Sequence, residues 1–267
     1  MAVKTLAVSV GDNCVDHYLA PIDRNYSGGN ALNVAIALQN AGCPAAYLGF
    51  IGDDEDGKLI MDDLHRFGVD SSMVKILQGN TACTQVNLTP DGDRQFIHED
   101  LGPKDAFKLT EEDIRFINRH RLVHTTFLGG TEEYLPQLAK NPSLVVSMDY
   151  SERSLQALID QTIQYVNIAF FSLPEDADTT MEDLARRMFR RGPKMIVVTQ
   201  GRFGSLVFDG AIYVQSAIPV KVVDTLGAGD AYIGTFLATW LLGKPIPECM
   251  LTATKVASQT CTHFGGF

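Results

Sequence analysis

Long apolar runs are missing from this chain. No stretch approaches the ~18 to 20 residues that a membrane-spanning helix needs, so no membrane association is expected. Positive charge is also scarce: 22 lysines and arginines stand against 32 aspartates and glutamates, for a formal net charge of -10. Nucleic acids and anionic membranes are bound through basic patches that release counterions, and neither is expected as a partner. The one dense basic run, Arg186, Arg187, Arg190 and Arg191, has helical spacing and reads as a solvated helix face. The five cysteines, Cys14, Cys43, Cys83, Cys249 and Cys261, include no Cys-x-x-Cys pair. That excludes the common zinc and dithiol sites and leaves buried free thiols as the expectation. The N-terminal MAVKTLAVSVG has too short an apolar part for a secretory signal. It reads as a first buried strand, with the cytoplasm as the expected compartment.

Two phosphate-binding sequences are absent as well. The lysine loop GxxxxGK[ST] occurs nowhere, and the dinucleotide fingerprint GxGxxG fails where it begins, because the glycine required at 232 is Tyr232. A nucleotide-using enzyme built on this chain must hold phosphate in another way. The stretch VVDTLGAGDAYIGTF, residues 222–236, offers one. Thr225 to Gly229 reads as a turn and the residues after it as an apolar helix. Gly227, Ala228 and Gly229 then present backbone N–H groups at a helix N-terminus, where unpaired donors and the positive end of the dipole favour an anion. Small side chains let that anion come close. The Asp230 carboxylate beside an anion is unfavourable unless a base is needed there, and deprotonating a hydroxyl that attacks a phosphoryl group is such a need. A glycine turn with Asp230 as a cap or ion partner is the structural alternative.

Strand-length apolar runs at 6–10, 45–51, 121–127, 144–148, 166–171 and 195–199 alternate with helical patterns, as in a parallel sheet covered by helices. ALNVAIALQNAG from Ala31 is one such helix; TEEDIRFIN, with Thr110 and Asp113 in capping-box spacing, is another. Two segments break the alternation. CVDHYLAPIDRNYSGG has no room for a helix, and TACTQVNLTPDGDRQFIHED (81–100) reads as two strands joined by the turn at 90–92. Both are assigned to a small β lid. SGGNALNVA (27–35) is a second glycine turn opening a helix, with Asn30 and Asn33 offering amides. GDNCVD (11–16) ends the first strand, where Asp16 can accept from sugar hydroxyls.

DTLGAGD (224–230) and GGNALNVA (28–35) together resemble the two signatures of the ribokinase-like, or PfkB-type, carbohydrate kinases. The resemblance runs in the family's order through GDNCVD, IGDDEDG (51–57), GVDSSMV (68–74), the lid hairpin, TQGRFG (199–204) and DTLGAGD. Within the family the pattern is most similar to the bacterial fructoselysine 6-kinases, in which GDNCVD, SGGNA with NVA and a shortened C-terminus occur together. The resemblance implies a ribokinase-like doubly wound α/β fold, mostly parallel, with helices on both faces. It implies a single domain over 1–267, with lid segments at about 14–27 and 80–100. It implies ATP and Mg2+, Asp230 as the base, and the N–H groups of Gly227, Ala228 and Gly229 as the anion hole. Asp16, Gly29 and Asn33 correspond to sugar positions, while Thr199, Gly201, Gly204 and Thr225 lie by the nucleotide. The family's Asn-x-x-Glu is here Ser172-Leu-Pro-Glu175, so Glu175 is the position for magnesium-bound water and Ser172 offers no amide.

The expected acceptor is a small sugar or sugar-amine, with fructoselysine phosphorylated on its 6-hydroxyl. The alternatives are a free sugar or nucleoside, and a non-catalytic sensor on the same fold. A homodimer through the lid is a further expectation. The carboxylates of the acidic lid stretch His98-Glu99-Asp100, and Glu132 and Glu133, are candidates to meet the adduct's cationic nitrogen, or else solvated surface. Asp53 and Asp54 either join the site or shape a helix start, and Asp149 ends a strand on the ligand side. His120 and His124, spaced i, i+4 in a strand pattern, read as structural, and Tyr232 and Trp240 as core.

Overall fold

A computed structural model describes residues 5–88, 94–152 and 155–267. The turn expected at 90–92 lies outside the described residues. The strands are β1 (Ala7–Gly11), β2 (Cys14–Tyr18), β3 (Arg24–Gly28), β4 (Ala45–Ile51), β5 (Lys75–Ile76), β6 (Cys83–Leu88), β7 (Arg94–Asp100), β8 (Leu122–Thr126), β9 (Val145–Asp149), β10 (Ile168–Ser172), β11 (Met195–Thr199), β12 (Ser205–Phe208) and β13 (Ile212–Gln215). The helices are α1 (Asn30–Asn40), α2 (Glu55–Phe67), α3 (Glu111–Ile117), α4 (Leu135–Leu138), α5 (Gln156–Thr162), α6 (Met181–Phe189), α7 (Ala228–Leu241) and α8 (Ile246–Thr260).

Nine strands form one sheet in the order β13-β12-β11-β10-β9-β8-β1-β4-β5. Every pairing from β11 to β5 is parallel, and β12 and β13 close one edge as an antiparallel hairpin. A sheet wet on one face alternates apolar with polar residues, whereas one covered on both faces is apolar throughout. Here successive residues feed opposite cores. In β11, Met195 and Val197 join the cluster under α1, α7 and α8, while Ile196 and Val198 join the one under α3 to α6. In β10 the pairs Ile168/Phe170 and Ala169/Phe171 divide in the same way. That division is the doubly wound arrangement.

The expected lid segments form a second, four-stranded sheet in the order β3-β2-β6-β7. β2 pairs antiparallel with β3 and parallel with β6, and β6 pairs antiparallel with β7. Side chains cap α2, α3 and α6. Asp54 accepts from Gly57 N–H at the start of α2, Thr110 and Asp113 form the expected capping box on α3, and Thr180 caps α6. The residue preceding α7 is Gly227, at φ 73, with no side-chain cap.

No helix among the described residues is long and apolar enough to cross a membrane. None of the five cysteines forms a disulfide among the described residues; Cys43 and Cys249 are buried as expected, but Cys14, Cys83 and Cys261 are only half-buried. His124 is enclosed, its Nδ1 against Ser147, and burial pushes its pKa down to about 3. His120 bonds Thr5 and the Phe116 carbonyl. The two are fastened separately and make no metal pair.

Candidate active site

The parallel strands end together on one edge of the large sheet, and the strand order reverses between β1 and β8, whose next strands lie on opposite sides. A crevice outside the strand ends at such a switch point is where α/β sheets take ligands. Thr126, closing β8, donates to the carboxylate of Asp12 just beyond β1. The other Asp12 oxygen accepts from the Asn30 N–H at 2.8 Å, so a side chain from a neighbouring loop caps α1. Gly29 makes this crossing feasible: at φ 98, a Cβ there would stand 2.3 Å from Asn13 Cα.

Two connected chambers occupy the crevice. The larger, about 360 Å3, lies between the strand ends and the small sheet and is lined by Asp12, Asn13, Asp16, Gly29, Asn33, Glu99, Asp100 and Lys104, among others. The smaller, about 160 Å3, is lined by Asp149, Ser172, Thr199, Gly229 and Ile233. Asn30, Ser151, Gly227 and Asp230 line both. Asp230 therefore stands where the chambers meet.

Its position follows from two helices packed in contact. Gly234, one turn beyond Asp230, lies so close to α1 that a Cβ would come within 2.5 Å of Ala37 Cβ and 2.8 Å of the Val34 carbonyl. One turn back along both helices, Asn33 Nδ2 donates to Asp230 Oδ2 at 2.8 Å. Burial raises the Asp230 pKa well above the ordinary carboxylate range; the Asn33 bond opposes this, and Asp149, Asp12 and Asp16 add to it. Asp12 is also raised by burial, against the bonds from Thr126 and Asn30. Burial raises Asp149 to about 7, although the Ser151 N–H donates to it at 2.8 Å.

Around the N-terminus of α7 the expected donors are not equivalent. The Ala228 N–H is engaged with the Thr225 carbonyl at 3.3 Å. Gly227 and Gly229 show no partner for theirs among the described residues. A Cβ at Gly229 would meet nothing within 4 Å, so open space lies above an uncapped helix start. Gly227 packs against Gly266, where a Cβ would meet Gly266 Cα at 2.4 Å.

The remaining expected residues divide. Asp16 and Asn33 line the larger chamber, each about 4% exposed, and Asn33 also holds the carboxylate of Asp230. Thr199 lines the smaller one and shares a hydroxyl contact with Ser172 at 3.2 Å. Gly201 and Gly204 lie in the following loop, and Thr225 is exposed before the α7 turn. Glu175 lies beside Gly201 but its carboxylate pairs with Arg202 at 2.9 Å, off the chamber walls. Asp54 is spent on the Thr81 hydroxyl and N–H and the Gly57 N–H, which hold its pKa low against partial desolvation. It shapes the start of α2. Glu99 and Asp100 reach the larger chamber; Glu132 and Glu133 do not, and Glu133 faces Lys108 at 3.6 Å. Tyr232 is core, its hydroxyl on Ser205, and Trp240 packs against the same cluster.

Sequence reasoning missed Asp12, Asn13, Lys104 and Glu152. Asp12 and Asn13 stood inside the quoted GDNCVD, one and two residues past a strand end, which was the available signal. Lys104 and Glu152 carried none.

The pattern of the pfkB carbohydrate kinases matches residues 11–266 of this chain. A fructoselysine 6-kinase of Escherichia coli is 36% identical, covering 99% of this chain and 100% of its own length. A fructosamine kinase of Bacillus subtilis is 32% identical, covering 97% and 92%. Among solved structures, an Arabidopsis thaliana ribokinase complexed with ribose and ATP superimposes with a TM-score of 0.85 at 22% identity, over 97% of this chain and 93% of that one. With this ribokinase-like fold and full-length similarity to sugar kinases, the chain belongs to the pfkB family of carbohydrate kinases.

Proposed function

We propose that the protein is an ATP-dependent, Mg2+-requiring kinase that phosphorylates a fructosamine, foremost fructoselysine, on its terminal 6-hydroxyl. The observation that carries the chemistry is the place of Asp230, at the junction of an acceptor-sized chamber and a chamber lined by an uncapped helix start. The acceptor sits in the larger chamber. Asn13 Oδ1 and Asn33 Oδ1 are buried there without a hydrogen-bond partner among the described residues, a deficit of ~1 to 3 kcal/mol each that sugar hydroxyls would relieve. Asp16 grips neighbouring hydroxyls. Asp230, held by Asn33, removes the proton from the attacking oxygen, and its raised pKa keeps it basic enough to do so.

The phosphoryl end of ATP lies over the N-terminus of α7. The N–H groups of Gly227 and Gly229 and the dipole of a 14-residue helix meet the transferring group there. Thr199, and the Gly201 to Gly204 and Thr225 segments, flank the nucleotide. Mg2+ supplies counter-charge to the phosphates. No group of three or more His, Cys, Asp and Glu side chains arranged to hold a metal occurs among the described residues, which suits an ion held mainly by phosphate and water. Asp149 and Thr199 offer it oxygen atoms, whereas Glu175 reaches bound water only when its pair with Arg202 opens. The choice of acceptor draws on the fructoselysine and fructosamine kinase relatives and on the acids at the chamber mouth.

The test is to incubate the protein with ATP, Mg2+ and fructoselysine and to locate the phosphate by proton–phosphorus coupling. Phosphate coupled to the C6 methylene protons is expected. Phosphate on another carbon, or ADP formation independent of acceptor, overturns the assignment.

A further inference from the structure

The larger chamber is acidic beyond what a neutral sugar asks for. Asp12, Asp16 and Asp230 lie inside it and Glu99, Asp100 and Glu152 line it nearer the small sheet and the loop after β9. Among the described residues Lys104 is the one cationic side chain on its wall. It opens the short turn that follows β7, is half-buried, and has no carboxylate within ion-pair distance among the described residues. Its charge is still felt inside, since it offsets part of the rise in the Asp12 pKa. A lysine with no ion pair among the described residues, bordering so many acids, is available to a ligand.

The charge pattern limits what that ligand is. A sugar phosphate, with nearly two negative charges, would face several carboxylates with one lysine to help. A neutral sugar would leave the lysine without a task. An α-amino acid group carries one carboxylate and one ammonium, and matches one lysine among acids. We propose that Lys104 binds the α-carboxylate of an amino acid joined to the sugar, while acids at the mouth, Glu99, Asp100 and Glu152, meet its α-ammonium. Leu101 and Leu128, on the same wall, face the methylenes between the two ends. This makes Lys104 a specificity-determining residue, and it rests on the fructosamine reading above.

Two acceptors that differ only in the carboxylate test it: fructoselysine and the fructose adduct of cadaverine. The parent enzyme is expected to favour fructoselysine by ~10-fold or more in kcat/KM, mainly through KM. Lys104→Met removes that preference by raising KM for fructoselysine, with far less effect on the cadaverine adduct, whose turnover also reports that the variant is folded. Lys104→Arg retains most of the preference. Equal use of the two adducts by the parent, or a Lys104→Met that weakens both alike, overturns this assignment and leaves the fructosamine reading standing. Failure of the parent to phosphorylate either adduct, while it phosphorylates free fructose, ribose or a nucleoside, overturns both.

Discussion

Asp230 is a buried carboxylate with three other acids around it and one amide donor on it, and each of these facts bears on its chemistry. Desolvation and like charge make it hold a proton more tightly than a surface aspartate, so the acid limb of kcat/KM should lie above the ordinary value of ~3.9. Asp230→Asn preserves volume and the Asn33 contact. It is expected to fold normally and to lose at least ~100-fold in kcat with little change in KM for ATP; kcat within threefold of the parent would remove Asp230 from the proton transfer. Asp149 makes a different prediction. Burial raises it to about 7, so between its unfolded value and 7 the folded chain retains a proton that the unfolded chain has released. Stability then falls as pH rises through that window, and the loss is complete above it. Asp149→Asn should therefore melt above the parent at about pH 8, with the gap closing toward about pH 4. Parallel melting curves at every pH would contradict the burial argument. Asp230 was legible in the sequence because the small residues before it and the apolar run after it mark a helix start. Asp12 was not, since its role is defined by Thr126 and Asn30, brought to it only by the fold.

The two elements that set the site are α1 and α7, and the glycine between them decides how close they come. A methyl at Gly234 would overlap Ala37 Cβ and the Val34 carbonyl, and overpacking of this kind costs ~1 to 3 kcal/mol. Gly234→Ala is expected to lower the melting temperature and also kcat, because the Asn33–Asp230 contact lies one turn away on the same pair of helices. Ala37→Gly added to it recovers only part of both, since the Val34 carbonyl remains 2.8 Å from the new Cβ. Loss of stability with kcat intact would show that helix spacing does not position the base. The parallel strands β1, β4 and β8 to β11 were legible because both faces are covered and most of their positions are apolar. The β12–β13 hairpin was overlooked although its Asp209-Gly210 turn between apolar runs is a recognised hairpin signal. The C-terminal segment was also opaque: Gly266 sits against Asn33 and Gly227, Phe264 against Tyr18 and Phe267 against Phe67. Such contacts join residues more than 30 positions apart in sequence and leave no local pattern.

For the whole molecule, the charge that the composition shows as a bulk excess of acid is partly gathered in one crevice, with a single lysine on its wall among the described residues. An acidic site next to a phosphate-binding helix end divides the ligands by charge: anionic phosphates over α7, cationic or neutral groups toward the small sheet. The most direct measurement is ADP release, followed in a coupled assay, with kcat/KM compared across fructoselysine, free fructose, ribose and a nucleoside. A contact to the amino-acid part worth ~1 to 3 kcal/mol places fructoselysine ~5- to 150-fold above free fructose. A free sugar or nucleoside with kcat/KM equal to or above that of fructoselysine would contradict the account.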